Sequence, residues 1–294
     1  MDQAEGLRNI IKKQELQSEK QTARVITVTS GKGGVGKTSV SVNLAINLSR
    51  IGKKVVVLDA DFGLANIEIM LGIRPEYNLS DLMFRGKRIS DIITYGPENI
   101  GFISGGSGIH EMANLTREQV FQLVQKLGEL DEMADVIIVD TGAGIADTVL
   151  EFAAASSEIL LVATPEPTSI TDAYALLKAL NRCSSYRPGK TEVKTIANQV
   201  RVQGEADELF EKIGVVVNKF LDMDVEYMGA IPYDANMSKA VIKQEPLSIV
   251  APNSTAARAM QNIARKLEKV DIESERSFGI VQLFSSVLKT KFNR

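Results

Sequence analysis

Gly31-Lys32-Gly33-Gly34-Val35-Gly36-Lys37-Thr38 decides the fold of this chain. The octapeptide follows a short apolar run, residues 25–29, and precedes residues 39–49, where apolar positions recur at helical spacing. A glycine-rich turn between a strand and a helix is the setting in which GxxxxGK[ST] binds a phosphate. The backbone N–H groups of Gly31, Gly33, Gly34, Val35 and Gly36 can wrap the anion, and the helix beginning near Lys37 aims its positive end at it. Lys37 is expected to reach the β and γ oxygens, Thr38 to hold Mg²⁺, and Ser39 to meet the α-phosphate.

Outward from this loop, short apolar runs alternate with longer helical segments. The strand candidates are residues 25–29, 55–58, 100–103, 136–139, 159–163, 193–197 and 227–231; helices are expected over 39–49, 117–131, 169–181, 204–212 and 254–269. Runs that are apolar at successive positions suit strands covered on both faces. The expectation is an α/β chain: a doubly wound, mostly parallel sheet with helices on both sides. Residues 25–272 form that domain; 1–24 and 273–294 flank it and break the alternation.

Composition narrows the function. The 294 residues are 44% hydrophobic and 24% charged with a net charge of -3, which excludes both a disordered chain and a polycation coating nucleic acid. One cysteine, Cys183, and one histidine, His110, cannot make an intramolecular disulfide, a Cys/His zinc cage or an HExxH site. Both read as bland: Cys183 structural, His110 a surface-loop residue. The N-terminus lacks the apolar core of a secretory leader, and no apolar run approaches the roughly 18 residues of a membrane span. A cytoplasmic protein is expected, with any membrane contact peripheral.

Two acidic strand ends accompany the loop. In Leu58-Asp59-Ala60-Asp61-Phe62-Gly63, carboxylates fall at the carboxyl edge of the sheet, where open α/β folds bind ligands. Asp61 is the better candidate for ordering an attacking water, while Asp59, on the other side of the extended chain, serves the Mg²⁺ shell or fixes the loop. Val136-Ile137-Ile138-Val139-Asp140 reads as a strand ending in the aspartate that binds Mg²⁺ through water or engages Thr38. Asn218-Lys219-Phe220-Leu221-Asp222 misses the guanine reader NKxD by one residue, so ATP is favoured over GTP.

The sequence KGGVGKT resembles the deviant phosphate loop of the MinD/ParA family of P-loop NTPases, and the likeness extends over nearly the whole chain. It implies a MinD-like ATPase that dimerises around ATP and Mg²⁺, with Lys32 crossing to the partner's nucleotide. A cation supplied in trans to the transferring phosphate can be worth about 10³-fold in rate. By the same resemblance, LDADFG is switch I and Asn66, just beyond it, touches the γ-phosphate side across the dimer. Asp140 to Gly144 is switch II, with Gly142 where the family often has proline. Asn198, Pro232 and Asp234 fall on the adenine side; an amide offers donor and acceptor to a purine edge.

The two ends point to the biology. If helical, residues 278–292 gather Phe278, Ile280, Val281, Phe284, Val287, Leu288 and Phe292 on one side, with Leu283 the exception. With Lys289, Lys291 and Arg294 nearby, that face suits an interfacial anchor on anionic lipid, doubled in a dimer. MinD-like members end in such a helix; packing on the domain is the alternative, and docking in one nucleotide state with release in the other combines the two. Asp2-Gln3-Ala4-Glu5-Gly6-Leu7-Arg8 is similar to the DQAxxLR element of the family's flagellar-number regulators, named FlhG, YlxH or FleN. The resemblance implies a short helix in which Gln3, Leu7 and Arg8 meet the GTPase FlhF, with flagellar C-ring proteins as further partners. An ATP-dependent scaffold or transcriptional antiactivator, and a DNA-partitioning ATPase, are the rival readings; DNA binding would need a basic dimer surface.

Overall fold

The computed structural model describes residues 22–61, 66–106, 117–183, 185–221, 223–273 and 279–292. Strand β1 (Arg24–Ser30) leads through the glycine loop into α1 (Lys37–Arg50), and β2 (Val55–Ala60) follows. Short helices α2 (Asn66–Leu71), α3 (Leu79–Phe84) and α4 (Ile89–Ile92) lead to β3 (Thr94–Tyr95) and β4 (Gly101–Ile103). Then come α5 (Arg117–Leu127), α6 (Leu130–Met133), β5 (Val136–Ala143), α7 (Asp147–Ala155), β6 (Glu158–Ala163) and α8 (Pro167–Asn181). The last elements are β7 (Glu192–Val200), α9 (Glu205–Phe220), β8 (Val225–Pro232), α10 (Ala235–Lys243), α11 (Leu247–Val250), α12 (Thr255–Glu273) and α13 (Ile280–Phe292).

The strands form one sheet in the order β3-β4-β2-β5-β1-β6-β7-β8. Every pairing is parallel except β3 with β4. The parallel body and the helices on both faces meet the sequence expectation. Two-residue β3 escaped it because a pair of residues carries no periodicity. Successive side chains of β1 enter opposite layers: Ile26 and Val28 pack with Leu44 of α1 and Met260 of α12, whereas Val25 joins Leu123 of α5 and Phe152 of α7. Both sides of the strand are therefore buried, the condition that continuous apolar runs satisfy.

The C-terminal helix takes the packed arrangement among those its apolar face allowed. Ile280, Val281, Leu283, Phe284 and Val287 are buried in the cluster with Leu123, Val124, Leu127 and Phe152. Val281 and Phe284, expected to face lipid, face the domain instead, and the Phe284 ring stands edge-on to Phe152 at 5.5 Å between centroids. Leu283, the misfit on the helical wheel, is buried too, because α5 and α7 together wrap a wider arc than one flat surface. Covering this face removes the same apolar area from water that lipid would. Phe278 and the side chain of Leu288 lie outside the described residues, as do Gln3, Leu7 and Arg8. Among the described residues, no helix is long and apolar enough to cross a membrane.

Candidate nucleotide site

The glycine loop lies at the carboxyl edge of β1, with β5 and β6 on either side. Gly34 (φ 77°) and Gly36 (φ 93°) hold the left-handed backbone that turns the strand into α1, a conformation disfavoured for side-chain-bearing residues. Gly31 is small for another reason: a Cβ there would lie 2.1 Å from the Asp172 carbonyl of α8. Lys37 is almost wholly buried at the start of α1.

Behind the loop two hydroxyls of α1 converge on one carboxylate. Thr38 Oγ1 donates to Asp140 Oδ2 at 2.7 Å, and Ser41 Oγ donates to Asp140 Oδ1 at 2.8 Å. Ser41 went unnoticed in the sequence, although it stands one helical turn after Lys37 and so on the same face. Burial lifts the Asp140 carboxyl to about 6, against the pull of the two hydroxyls and of Lys37. Asp59 of β2 sits in register with Asp140 on the neighbouring strand. Burial first, and then the charge of Asp140, push Asp59 up to about 8.

Asp59 also ties switch I together. Its Oδ1 accepts from the Asp61 N–H at 3.1 Å, and Oδ2 accepts, at a long 3.5 Å, from the Ile67 N–H. Of the two roles expected for Asp59, fixing the loop is the one visible in its contacts. Asn66 Nδ2 donates to Asp61 Oδ2 at 2.9 Å, so the proposed water-positioning group and its neighbour are already joined. Gly142 lets Asp61 approach: a Cβ there would stand 3.1 Å from Asp61 Oδ1. Gly144 N–H donates to Ser30 O at 2.9 Å, linking the end of β5 to the start of the glycine loop.

Lys32 is held within its own chain. Its Nζ lies 2.6 Å from Glu166 Oε2 and donates to Thr168 Oγ1 at 2.8 Å. Glu166 and Thr168 were not singled out from sequence; their signal is that they follow a strand end, β6, beside β1, where this fold gathers functional loops.

The residues expected on the adenine side make contacts within the chain. Asn198 Nδ2 donates to Val35 O at 2.7 Å, so its donor clamps the loop. Gln199, at φ 60°, reaches Gly34 O at 3.3 Å. Asp234 caps α10, accepting from Asn236 N–H at 2.9 Å and also from Ala256 N–H at 3.3 Å at the start of α12. Pro232 ends β8 opposite Val200. Asn218 and Lys219 lie within helix α9 instead of following a strand. Ser39 is buried on α1; His110 lies outside the described residues. Cys183 is half-buried and its thiol donates to Ala179 O at 3.5 Å.

Residues 21–268 match the ParA family, described as NUBPL iron-transfer P-loop NTPase. The chain is similar to the antiactivator FleN of Pseudomonas aeruginosa, 42% identical over 83% of this chain and 86% of that protein. It is similar to the flagellum site-determining protein YlxH of Helicobacter pylori, 33% identical over 97% of this chain and 96% of the relative. Among solved structures it resembles the MinC:MinD cell division complex of Aquifex aeolicus, with a TM-score of 0.67 and 25% identity over 87% of this chain and 99% of that one. A strand-loop-helix with this glycine spacing, backed by an aspartate within β5, in a chain that matches these relatives over more than four-fifths of its length, makes the chain a P-loop ATPase of the ParA/MinD family.

Proposed function

We propose that this protein is an ATP-driven, dimerising switch that sets the number and placement of flagella from the cytoplasmic face of the membrane. Support for the flagellar role comes from the similarity to YlxH, a flagellum site-determining protein. The observation that carries the switch itself is the Lys32–Glu166 contact: a lysine able to serve a second subunit rests on its own chain, ready to be exchanged.

The residues present fit Mg²⁺ and a nucleoside triphosphate. Two carboxylates, Asp59 and Asp140, face each other across adjacent strands with their protons held by burial, and a hydroxyl, Thr38, stands at the open side of one. Bound there, the metal would neutralise charge on the phosphate oxygens. Lys37 binds the phosphates; Lys32 leaves Glu166 for the partner's phosphate; Asp61, steadied by Asn66, orients the water. Asn66 adds a contact on the γ-phosphate side, and Ser39 one to the α-phosphate.

Switch II runs straight into α7, and α7 carries Phe152 against Phe284 of α13. In this reading the nucleotide-driven movement of residues 140–146 loosens α13, and the freed apolar face binds anionic lipid. The N-terminal residues Gln3, Leu7 and Arg8 stimulate the GTPase FlhF, and flagellar C-ring proteins are further partners. A second reading, a transcriptional antiactivator, is favoured by the similarity to the antiactivator FleN.

The test is small-angle scattering on the purified protein alone, with a nonhydrolysable ATP analogue and Mg²⁺. A dimer is expected with the wild type and a monomer with Lys32→Ala; monomers in both would overturn the switch.

A further inference from the structure

The approach to β1 and the start of the C-terminal helix meet at one carboxylate. Asp131, in α6, accepts the Ile280 N–H at the start of α13 at 3.1 Å, and it also accepts the Ala23 N–H just before β1. The approach is close on the α13 side: a Cβ on Gly279 would stand 2.6 Å from Asp131 Oδ2. Ala23 is 1% exposed and belongs to the same apolar cluster as Ile280, Val281 and Phe284. Gly128, three residues before Asp131, is equally tight against the helix, with a Cβ there 2.8 Å from Val281 Cγ2. Burial raises the Asp131 carboxyl to about 6, and the two backbone N–H groups draw it back down.

A single acceptor shared between two segments couples them. When α13 leaves, Asp131 loses one of its two donors and gains access to water, and the apolar cluster to which Ala23 belongs loses Ile280, Val281 and Phe284. We propose that Asp131 is a clasp that holds the start of α13 and the approach to β1 together, so that lifting α13 also frees the backbone at Ala23. The inference goes beyond the flagellar reading and holds whether lipid or another surface takes the helix.

Amide hydrogen exchange on the full chain, without nucleotide or lipid, tests it. Gly279→Ala pushes the helix off the carboxylate directly; Phe152→Ala loosens the same helix from α7 and leaves Asp131 and its donors unaltered. In each variant, exchange at residues 280–287 and at Ala23 is expected to quicken together by about tenfold, while residues 193–197 of β7 keep the wild-type rate. If the helix amides quicken and Ala23 does not, or if Ala23 is unchanged in both variants, the clasp is wrong. Should Gly279→Ala fail to fold, Phe152→Ala decides alone.

Discussion

Lys32 Nζ lies 2.6 Å from the carboxylate of Glu166 in the same chain, and both side chains are open to solvent. Exposed pairs of this kind contribute about 0–1 kcal/mol, enough to bias an equilibrium and too little to block it. Glu166→Ala is expected to tighten ATP-dependent dimerisation by at most about fivefold, read by analytical ultracentrifugation. Lys32→Ala is expected to lower ATP turnover by about 10³-fold; turnover within a factor of two of wild type would refute the trans-lysine role.

Asp59 and Asp140 make the empty site sensitive to pH. Asp59 holds its proton to about 8 in the folded chain against 3.8 when free. Above pH 4 the unfolded chain has lost that proton and the folded chain keeps it, so stability falls as pH rises toward 8. Asp140 and Asp131, both near 6, have largely completed their own loss by then. Between pH 7 and 8 the protein without nucleotide should therefore lose Tm, with a slope of at most about 1.4 kcal/mol per pH unit, and Asp59→Asn should flatten it. An equally steep slope in that variant would show that another group titrates.

Two glycines of the loop should respond in opposite ways. Gly31→Ala drives a methyl into the Asp172 backbone and is expected to cost about 3 kcal/mol, or roughly 6 °C in Tm. Gly33 has nothing within 4 Å of the same added carbon, so Gly33→Ala should leave Tm nearly unchanged. Thermal melts of the two side by side check this.

The edge-on contact of Phe152 with Phe284 holds α13 down. Such ring pairs contribute about 0.5–1.5 kcal/mol beyond their buried area. Phe152→Ala leaves the apolar face of α13 intact but weakens its dock, so binding to phosphatidylglycerol-containing vesicles without ATP should rise at least about threefold. Unchanged co-sedimentation with the vesicles would separate lipid binding from the release of this helix.

The glycine loop and Asp140 were legible because their chemistry is local. A phosphate loop needs its glycines, lysine and threonine within eight consecutive residues, and an acidic strand end needs only an apolar run before it. For Asn198 and Asp234 the chain gave no such local specification, since an amide or carboxylate at a strand end can meet a base, a loop carbonyl or a helix N-terminus equally well. Glu166 and Ser41 carried no motif of their own; they matter because β6 lies beside β1 and because one turn of α1 brings Ser41 to Asp140.

Periodicity and spacing in the chain itself determined a parallel sheet, a phosphate loop after its first strand and an amphipathic C-terminal helix. Tertiary structure alone decided what covers that helix and what holds Lys32. An apolar face specifies only that water must be excluded, and a cation specifies only that it needs a partner; which surface and which carboxylate satisfy them depends on segments more than a hundred residues away.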